Sequence, residues 1–232
     1  MIKTGGKRIK KVRALVDSKK VYSLKDACEA VVKTASTKFD ETVDIAVCLG
    51  IDGSKSEQTV RGSIPLPNGM GKSVRVLVFA KGDRADEATK AGADFVGGDD
   101  LVEKIKGGFA DFDSVVATPD MMAQVGKVGK ILGPRGLMPS PKVGTVTTAV
   151  GDIVKSLKAG RAEFRADKAG VVHAPIGKAS FGAQKISENL GAVMTAIAKA
   201  KPTTSKGTYL KSASLSLTMG PGVKFDISQF RL

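Results

Sequence analysis

The chain has no tryptophan, one histidine, two cysteines and two tyrosines among 232 residues, and each shortage closes off a class of chemistry. With His173 as the only imidazole, a serine or cysteine triad and the common histidine-rich zinc sites would all have to be built on one residue. Cys28 and Cys48 match no CxxC or zinc spacing and are too few for a disulfide framework, so a reducing cytoplasm is the expected compartment. Aromatic residues are 5% of the chain, which leaves little for a stacking platform that would bind single-stranded nucleic acid. No apolar run approaches the ~18 residues of a bilayer crossing, and the basic start Met1 to Arg8 leads into no apolar signal core. Neither a membrane partner nor secretion is therefore expected.

The phosphate loops of nucleotide enzymes are also missing. Gly71-Lys72-Ser73 resembles the end of a P-loop, but the glycine due five residues earlier is Leu66. Gly177-Lys178-Ala179-Ser180 has no hydroxyl residue after its lysine, and no GxGxxG opens a helix after a strand. Asp99-Asp100 and the set Asp83, Asp86 and Glu87 read as helix-start carboxylates favoured by the helix dipole rather than as a metal site. An enzyme whose middle segment binds a nucleotide is the alternative reading, and it has no constellation to stand on. No catalytic residue, metal, cofactor or small-molecule substrate is expected.

What the chain has in excess is positive charge. Thirty-seven Lys and Arg against twenty-three Asp and Glu give +14, which attracts polyanions. The excess sits at the ends: net +5 in 1–67, +2 in 68–159 and +7 in 160–232. That split predicts one basic domain built from both ends, 1–67 with 160–232, and a nearly neutral inserted domain, 68–159.

Pattern supports the division. In the middle, apolar runs 74–80, 94–97 and 114–117 alternate with helical stretches 83–91 and 101–106 and a helix starting near Pro119. This spacing predicts an α/β three-layer domain on a small parallel sheet. In the flanks, Ser23-Leu24-Lys25-Asp26 fits a capping box before a helix to about Thr34. Val43, Ile45, Val47 and Leu49 alternate with Thr42, Asp44, Ala46 and Cys48, and a helix near 180–200 carries Ile186, Leu190, Val193, Met194 and Ile197 on one face. Tyr209, Ala213, Leu215, Leu217 and Met219 then alternate with Thr208, Ser212, Ser214, Ser216 and Thr218. The flanking domain is expected to be α+β, an antiparallel sheet with helices on one side. The crossings 65–71 and 158–160 hold Pro and Gly and suit either a double-stranded hinge or two ordinary surface turns.

Three basic runs lie on the flanks. Lys3, Lys7, Arg8, Lys10, Lys11 and Arg13 precede the first acid, Asp17; Asn189 to Phe225 holds five lysines and no acid; Arg161 to Lys168 alternates basic residues on a strand-like stretch. Cations on rigid elements track phosphates and release counterions. There is no helix-turn-helix, zinc finger or basic zipper, and the Ser/Thr face of 208–218 suits 2′-hydroxyls, so folded RNA is preferred over DNA.

Gly129-Lys130-Ile131-Leu132-Gly133-Pro134-Arg135-Gly136-Leu137-Met138-Pro139 resembles the signature of the ribosomal protein L-one family of the large subunit. Lys38 to Val43, Gly92 to Gly98, Val116 to Asp120, His173 to Pro175, Gly177 to Phe181 and Thr218 to Pro221 are similar to its bacterial members as well. The resemblance spans essentially the whole chain. It implies two domains joined by a hinge, and binding to folded large-subunit ribosomal RNA, chiefly through the domain holding both termini. It further implies a place in the mobile stalk of the cytoplasmic ribosome, with exit-site tRNA and the protein's own messenger RNA as further partners. Carried over residue by residue, the RNA surface falls on Lys38, Phe39, Thr42, Thr218, Met219 and Gly220. Arg165, Lys168 and His173 join it because their segment is basic and matches too. On pattern alone Phe39 and Met219 read as core and His173 as a structural histidine or one facing a phosphate; the resemblance turns Phe39 and Met219 outward. Segment 126–144, with Lys127, Lys130, Arg135 and Lys142 and no acid, reads equally as a second RNA contact or as a rigid loop.

Overall fold

Alternating branched and small or polar side chains make residues 42–49 a strand with two unlike faces, and this strand organises one half of the molecule. The computed structural model describes residues 6–17, 19–53, 55–205 and 207–230. Its helices are α1 (Lys7–Ala14), α2 (Leu24–Lys33), α3 (Asp83–Lys90), α4 (Asp99–Lys106), α5 (Met122–Gly126), α6 (Gly129–Leu132), α7 (Val150–Gly160) and α8 (Gly182–Lys199). Its strands are β1 (Thr42–Leu49), β2 (Arg61–Pro65), β3 (Val76–Phe79), β4 (Phe95–Gly97), β5 (Ser114–Ala117), β6 (Arg161–Ala166), β7 (Val171–Lys178), β8 (Leu210–Leu217) and β9 (Val223–Phe225). Lys72–Arg161 forms one compact unit, and the described residues on either side of it form the other.

The unit made from both flanks carries a six-stranded sheet in the order β2-β6-β7-β1-β8-β9, with β6–β7, β7–β1, β1–β8 and β8–β9 antiparallel. Val43, Ile45, Val47 and Leu49 are buried and meet Ala27, Cys28 and Val31 of α2 and Ile186, Leu190, Val193, Met194 and Ile197 of α8. Burial of each large side chain contributes about 1.5–3 kcal/mol, so this one face supplies most of what holds the unit together. The Ser23 hydroxyl accepts from Asp26 N–H at 3.2 Å and starts α2 as the capping pattern requires. Burial pushes the Cys28 thiol up to about 12, while Cys48 lies half-buried on the sheet's opposite face; both are free.

The register slips between Cys48 and Leu49, so that Leu49 pairs with Leu210 and brings it into the core. A second slip between Val43 and Asp44 skips Ile176 in β7. Here Asn189 of α8, fully buried, donates to Ile176 O at 2.8 Å and Gly69 O at 3.1 Å, and accepts from Asn68 N–H at 3.1 Å. One amide thus satisfies the irregular end of β7 and the backbone of the first crossing.

The Lys72–Arg161 unit is built on the parallel sheet β4-β3-β5. Leu77 and Phe79 face α4, α5 and α6 through Leu101, Ile105, Val125 and Leu132, whereas Val76 and Val78 face α3 and α7 through Ala88, Val150, Val154 and Leu157. Helices cover both faces, which explains the continuous apolar run in β3. Asp113 accepts from Lys72 Nζ at 2.8 Å and Arg75 Nε at 3.2 Å, and these partners, Lys72 foremost, hold its carboxyl down to about 2. The lysine of the P-loop look-alike is therefore committed to an ion pair.

Two outcomes follow from this packing. Asn189→Leu keeps the volume but strands three backbone groups, and it is expected to cost about 2–4 kcal/mol in urea unfolding followed by circular dichroism. Because Asp113 titrates lower folded than the 3.8 of a free carboxyl, its contribution is present above that value and fades as pH falls through about 2. Asp113→Asn is accordingly expected to lower the melting temperature at pH 7, with the difference from the parent shrinking as pH falls from 3.8 towards about 2.

Candidate nucleic-acid interface

The chain leaves α2 and turns into β1 through residues 35–41, where one carboxylate is sealed in. Glu41 is 1% exposed. Its Oε1 lies 2.8 Å from the Thr37 hydroxyl, which also sits 3.0 Å from Phe39 O, and its Oε2 accepts from Met219 N–H at 2.9 Å. A buried charge is tolerable only when its oxygens are bonded, as both are here. On the other side of the same residue, Arg8 of α1 donates from Nη2 to Met219 O at 2.9 Å and from Nη1 to the Ser36 hydroxyl at 2.9 Å.

Thr42 and Thr218 stand side by side at this end of the sheet. Thr218 Oγ1 accepts from Thr42 N–H at 3.2 Å and lies 3.3 Å from Thr42 O. Thr42 Oγ1 accepts from Lys178 Nζ at 3.1 Å, which leaves its own proton free to donate outward. Asp40 accepts from the Ser180 hydroxyl at 2.7 Å and from Ser180 N–H at 3.1 Å, and the hydroxyl bond is the chief cause of its lowered pKa. Gly220 closes a turn onto Leu217 O; a Cβ there would sit 3.1 Å from Leu217 Cβ, so the constraint on it comes from its own strand.

Six of the candidates are thereby brought together: Lys38, Phe39, Thr42, Thr218, Met219 and Gly220. The pattern-based reading of Phe39 and Met219 as core is corrected. Met219 is 49% exposed because β8 ends at Leu217 and the alternation does not continue past it, and Phe39 is 55% exposed in the segment that precedes β1. Lys38 is exposed, with no hydrogen bond or ion pair to another described residue.

The remaining three lie elsewhere on the same sheet. Arg165 pairs with His173, and His173 with Ala46, on the face opposite the helices. Ala46 pairs in turn with Ser214, and Ser214 with Lys224, so the row carries Arg165 and His173 at one end, Lys224 at the other and the small Ala46 and Ser214 between them. Lys168 is exposed in the β6–β7 turn, which is closed by Asp167 Oδ1 accepting from Val171 N–H at 2.8 Å. Ala46 is four positions along β1 from Thr42, roughly 13 Å at ~3.3 Å per residue, so the two groups form ends of one face rather than one cluster. Between them Asp44 has its pKa raised by burial, partly opposed by His173 and Lys178.

Sequence reading named Arg8 only as one cation of the N-terminal basic run and did not single out Glu41. Their bonds to Met219 span more than 170 positions, and nothing local marks them. In segment 126–144, Leu137 N–H bonds Leu132 O and Gly136 N–H bonds Gly133 O, with Gly136 at φ 73°, a left-handed helix stop. Leu132, Leu137 and Met138 pack on the core, while Lys127, Lys130 and Arg135 stay exposed. Among the described residues no cluster of three or more His, Cys, Asp or Glu could hold a metal ion, and no helix is long and apolar enough to cross a membrane.

The large ribosomal subunit protein uL1 of Solidesulfovibrio magneticus is 54% identical over 226 residues, covering 97% of this chain and 96% of the relative. Residues 31–221 match the model of the Ribosomal protein L1p/L10e family, a span that includes both candidate groups apart from α1. The chain belongs to the Ribosomal protein L1p/L10e family.

Proposed function

We propose that this protein is a constituent of the large ribosomal subunit that binds folded large-subunit ribosomal RNA through the edge formed by Lys38, Phe39, Thr42, Thr218, Met219 and Gly220. Arg165, Lys168 and His173 extend the contact along the open sheet face. The observation that carries this reading is the pair of exposed apolar side chains, Phe39 and Met219, on a backbone tied down from both sides amid exposed cations. Apolar groups left in water on a rigid frame fit sugar and base faces of a preformed RNA fold, and the Thr42 proton suits a 2′-hydroxyl. Lys7, Lys10, Lys11 and Arg13, exposed on α1, add phosphate contacts; Lys3 and Lys206 lie outside the described residues.

In this reading the protein sits on the cytoplasmic ribosome, forms the mobile stalk near the tRNA exit site and assists release of deacylated tRNA. The same surface represses translation of the protein's own messenger RNA wherever that RNA presents a similar fold, so ribosomal RNA and messenger RNA compete for it. It uses no cofactor, and the two units, the flanking one and Lys72–Arg161, divide the work, the first carrying the main RNA contact.

A salt titration of binding to the stalk segment of ribosomal RNA, with a scrambled duplex as control, tests the proposal. Affinity is expected to fall steeply with salt while the preference for the stalk segment persists at every concentration. Equal affinity for both RNAs would reduce the reading to generic electrostatics. Phe39→Ala should weaken specific binding about tenfold with the salt slope unchanged, whereas Lys38→Ala should lower that slope by roughly 0.9 for each phosphate the lysine neutralises. Asp44→Asn, which removes a half-buried negative charge from the face, should strengthen binding. Replacing Lys127, Lys130 and Arg135 together with Gln should change affinity less than about twofold; a larger loss assigns the loop to RNA and refutes the division of labour.

A further inference from the structure

Met219 is the one candidate contact whose peptide group is gripped at both ends by charged side chains. Its N–H donates to the Glu41 carboxylate at 2.9 Å, and its C=O accepts from the Arg8 guanidinium at 2.9 Å. The two grips arrive from different elements. Glu41 comes from the entry to β1 and is buried; Arg8 comes from α1 and is half-buried. Each also holds the segment that carries Phe39: Glu41 through the Thr37 hydroxyl at 2.8 Å, and Arg8 through the Ser36 hydroxyl at 2.9 Å.

We infer that Arg8 and Glu41 are positioning residues of the proposed RNA surface, fixing the distance between Met219 and Phe39 without contacting RNA themselves. The assignment rests on the RNA-binding reading above and adds a role to it. Physically, the 218–220 turn lies beyond the end of β8, where the ladder no longer holds it, and the 36–39 segment lies between α2 and β1, where no ladder has begun. Two loops that must present one apolar pair need cross-links. Here a single carboxylate and a single guanidinium each bond to both loops. Charge-assisted hydrogen bonds are about twice as strong as neutral ones, and the planar fork of arginine reaches two acceptors in fixed geometry where an ammonium is a point donor. A preordered pair then binds without the entropic cost of fixing two loops at the moment of contact.

Arg8 is otherwise easily taken for one more phosphate ligand in a basic helix, and the two roles give different results. The experiment is a double-mutant cycle on the full chain, with Arg8→Lys and Met219→Ala singly and together, measured against the ribosomal RNA stalk segment at several salt concentrations. Arg8→Lys keeps the charge and loses the fork. It is expected to weaken binding about three- to tenfold with the salt slope unchanged, and to cost almost nothing further once Met219 is Ala. Full affinity in Arg8→Lys, or a loss that multiplies fully with that of Met219→Ala, overturns the inference and returns Arg8 to the phosphate ligands. Full affinity in Met219→Ala instead removes the RNA surface on which the inference rests.

Glu41 supplies the second arm. Glu41→Gln retains an acceptor for Met219 N–H and a donor for Thr37 and is expected to bind RNA within about twofold of the parent, while Glu41→Ala, checked for folding by thermal melting, is expected to lose about tenfold. Equal binding by a folded Glu41→Ala protein refutes its role; if that variant does not fold, the Arg8 cycle decides alone.

Discussion

Strand β1 is bonded along both edges to strands that lie far away in the chain: Thr42 meets Lys178 on one side, and Val43 meets Leu217 on the other. The segment before residue 72 therefore cannot complete its sheet without the segment after residue 161. Everything else in that unit hangs on this pairing. The apolar side of β1 is what α2 and α8 cover, its other side is the open face with the row from Arg165 to Lys224, and its first residue is where Thr218 and Lys178 converge. Closing so long a loop costs chain entropy before any pairing returns it, which argues for slow folding of this unit relative to a helical protein of the same size.

The same topology accounts for the acids that lie beside the surface proposed to bind a polyanion. Asp40, Glu41 and Asp44 sit within five residues at the most strongly implicated end of the chain, where repulsion of phosphate would be most costly. Asp40 is bonded to Ser180 and Glu41 to Thr37 and Met219. Their oxygens face protein donors, so they spend their charge on ordering loops. Asp44 is different: it is bonded to no such donor among the described residues, burial raises its pKa, and His173 and Lys178 nearby oppose that rise and offset its charge. The basic residues nearby do the opposite, with Lys38 and the exposed side of α1 left facing solvent.

How far this was legible depends on whether the cause was local. β1, α2, α3 and β5 could be read because alternation, a serine cap and apolar runs lie inside the element they create. The opposed halves of the middle unit follow from the same local signals. α7 has its apolar set at Val150, Ile153, Val154 and Leu157, but no side chain caps its start and Gly151 sits inside it, so the helix was missed and its end was read only as a crossing. α1 was invisible as an element: of its residues only Val12 is fully buried, and what anchors it is Arg8 bonding to Ser36 and Met219. The exposure of Met219 was illegible for a related reason. Alternation predicts which way a side chain points only while the ladder lasts, and the ladder stops two residues earlier. Phe39 and Met219 were named only through family resemblance, and their outward stance is a tertiary fact.

That distinction bears on how a chain with so few aromatics can recognise nucleic acid. A stacking platform gains affinity from many flat side chains and tolerates their motion, because every base offers a face. This protein has nine phenylalanines and no tryptophan, and most of its few rings are used elsewhere: Phe95, Phe109 and Phe112 pack on one another, and Phe79, Phe164 and Phe225 are core. In the proposed interface, where Phe39 and Met219 are the apolar contacts, selectivity would have to come from their spacing relative to cations and hydroxyls. Spacing is informative only if the frame is stiff. A surface of the proposed kind would read a folded RNA by fit of two rigid bodies, and the bonds of buried Glu41 and half-buried Arg8 to both loops are what would supply the stiffness.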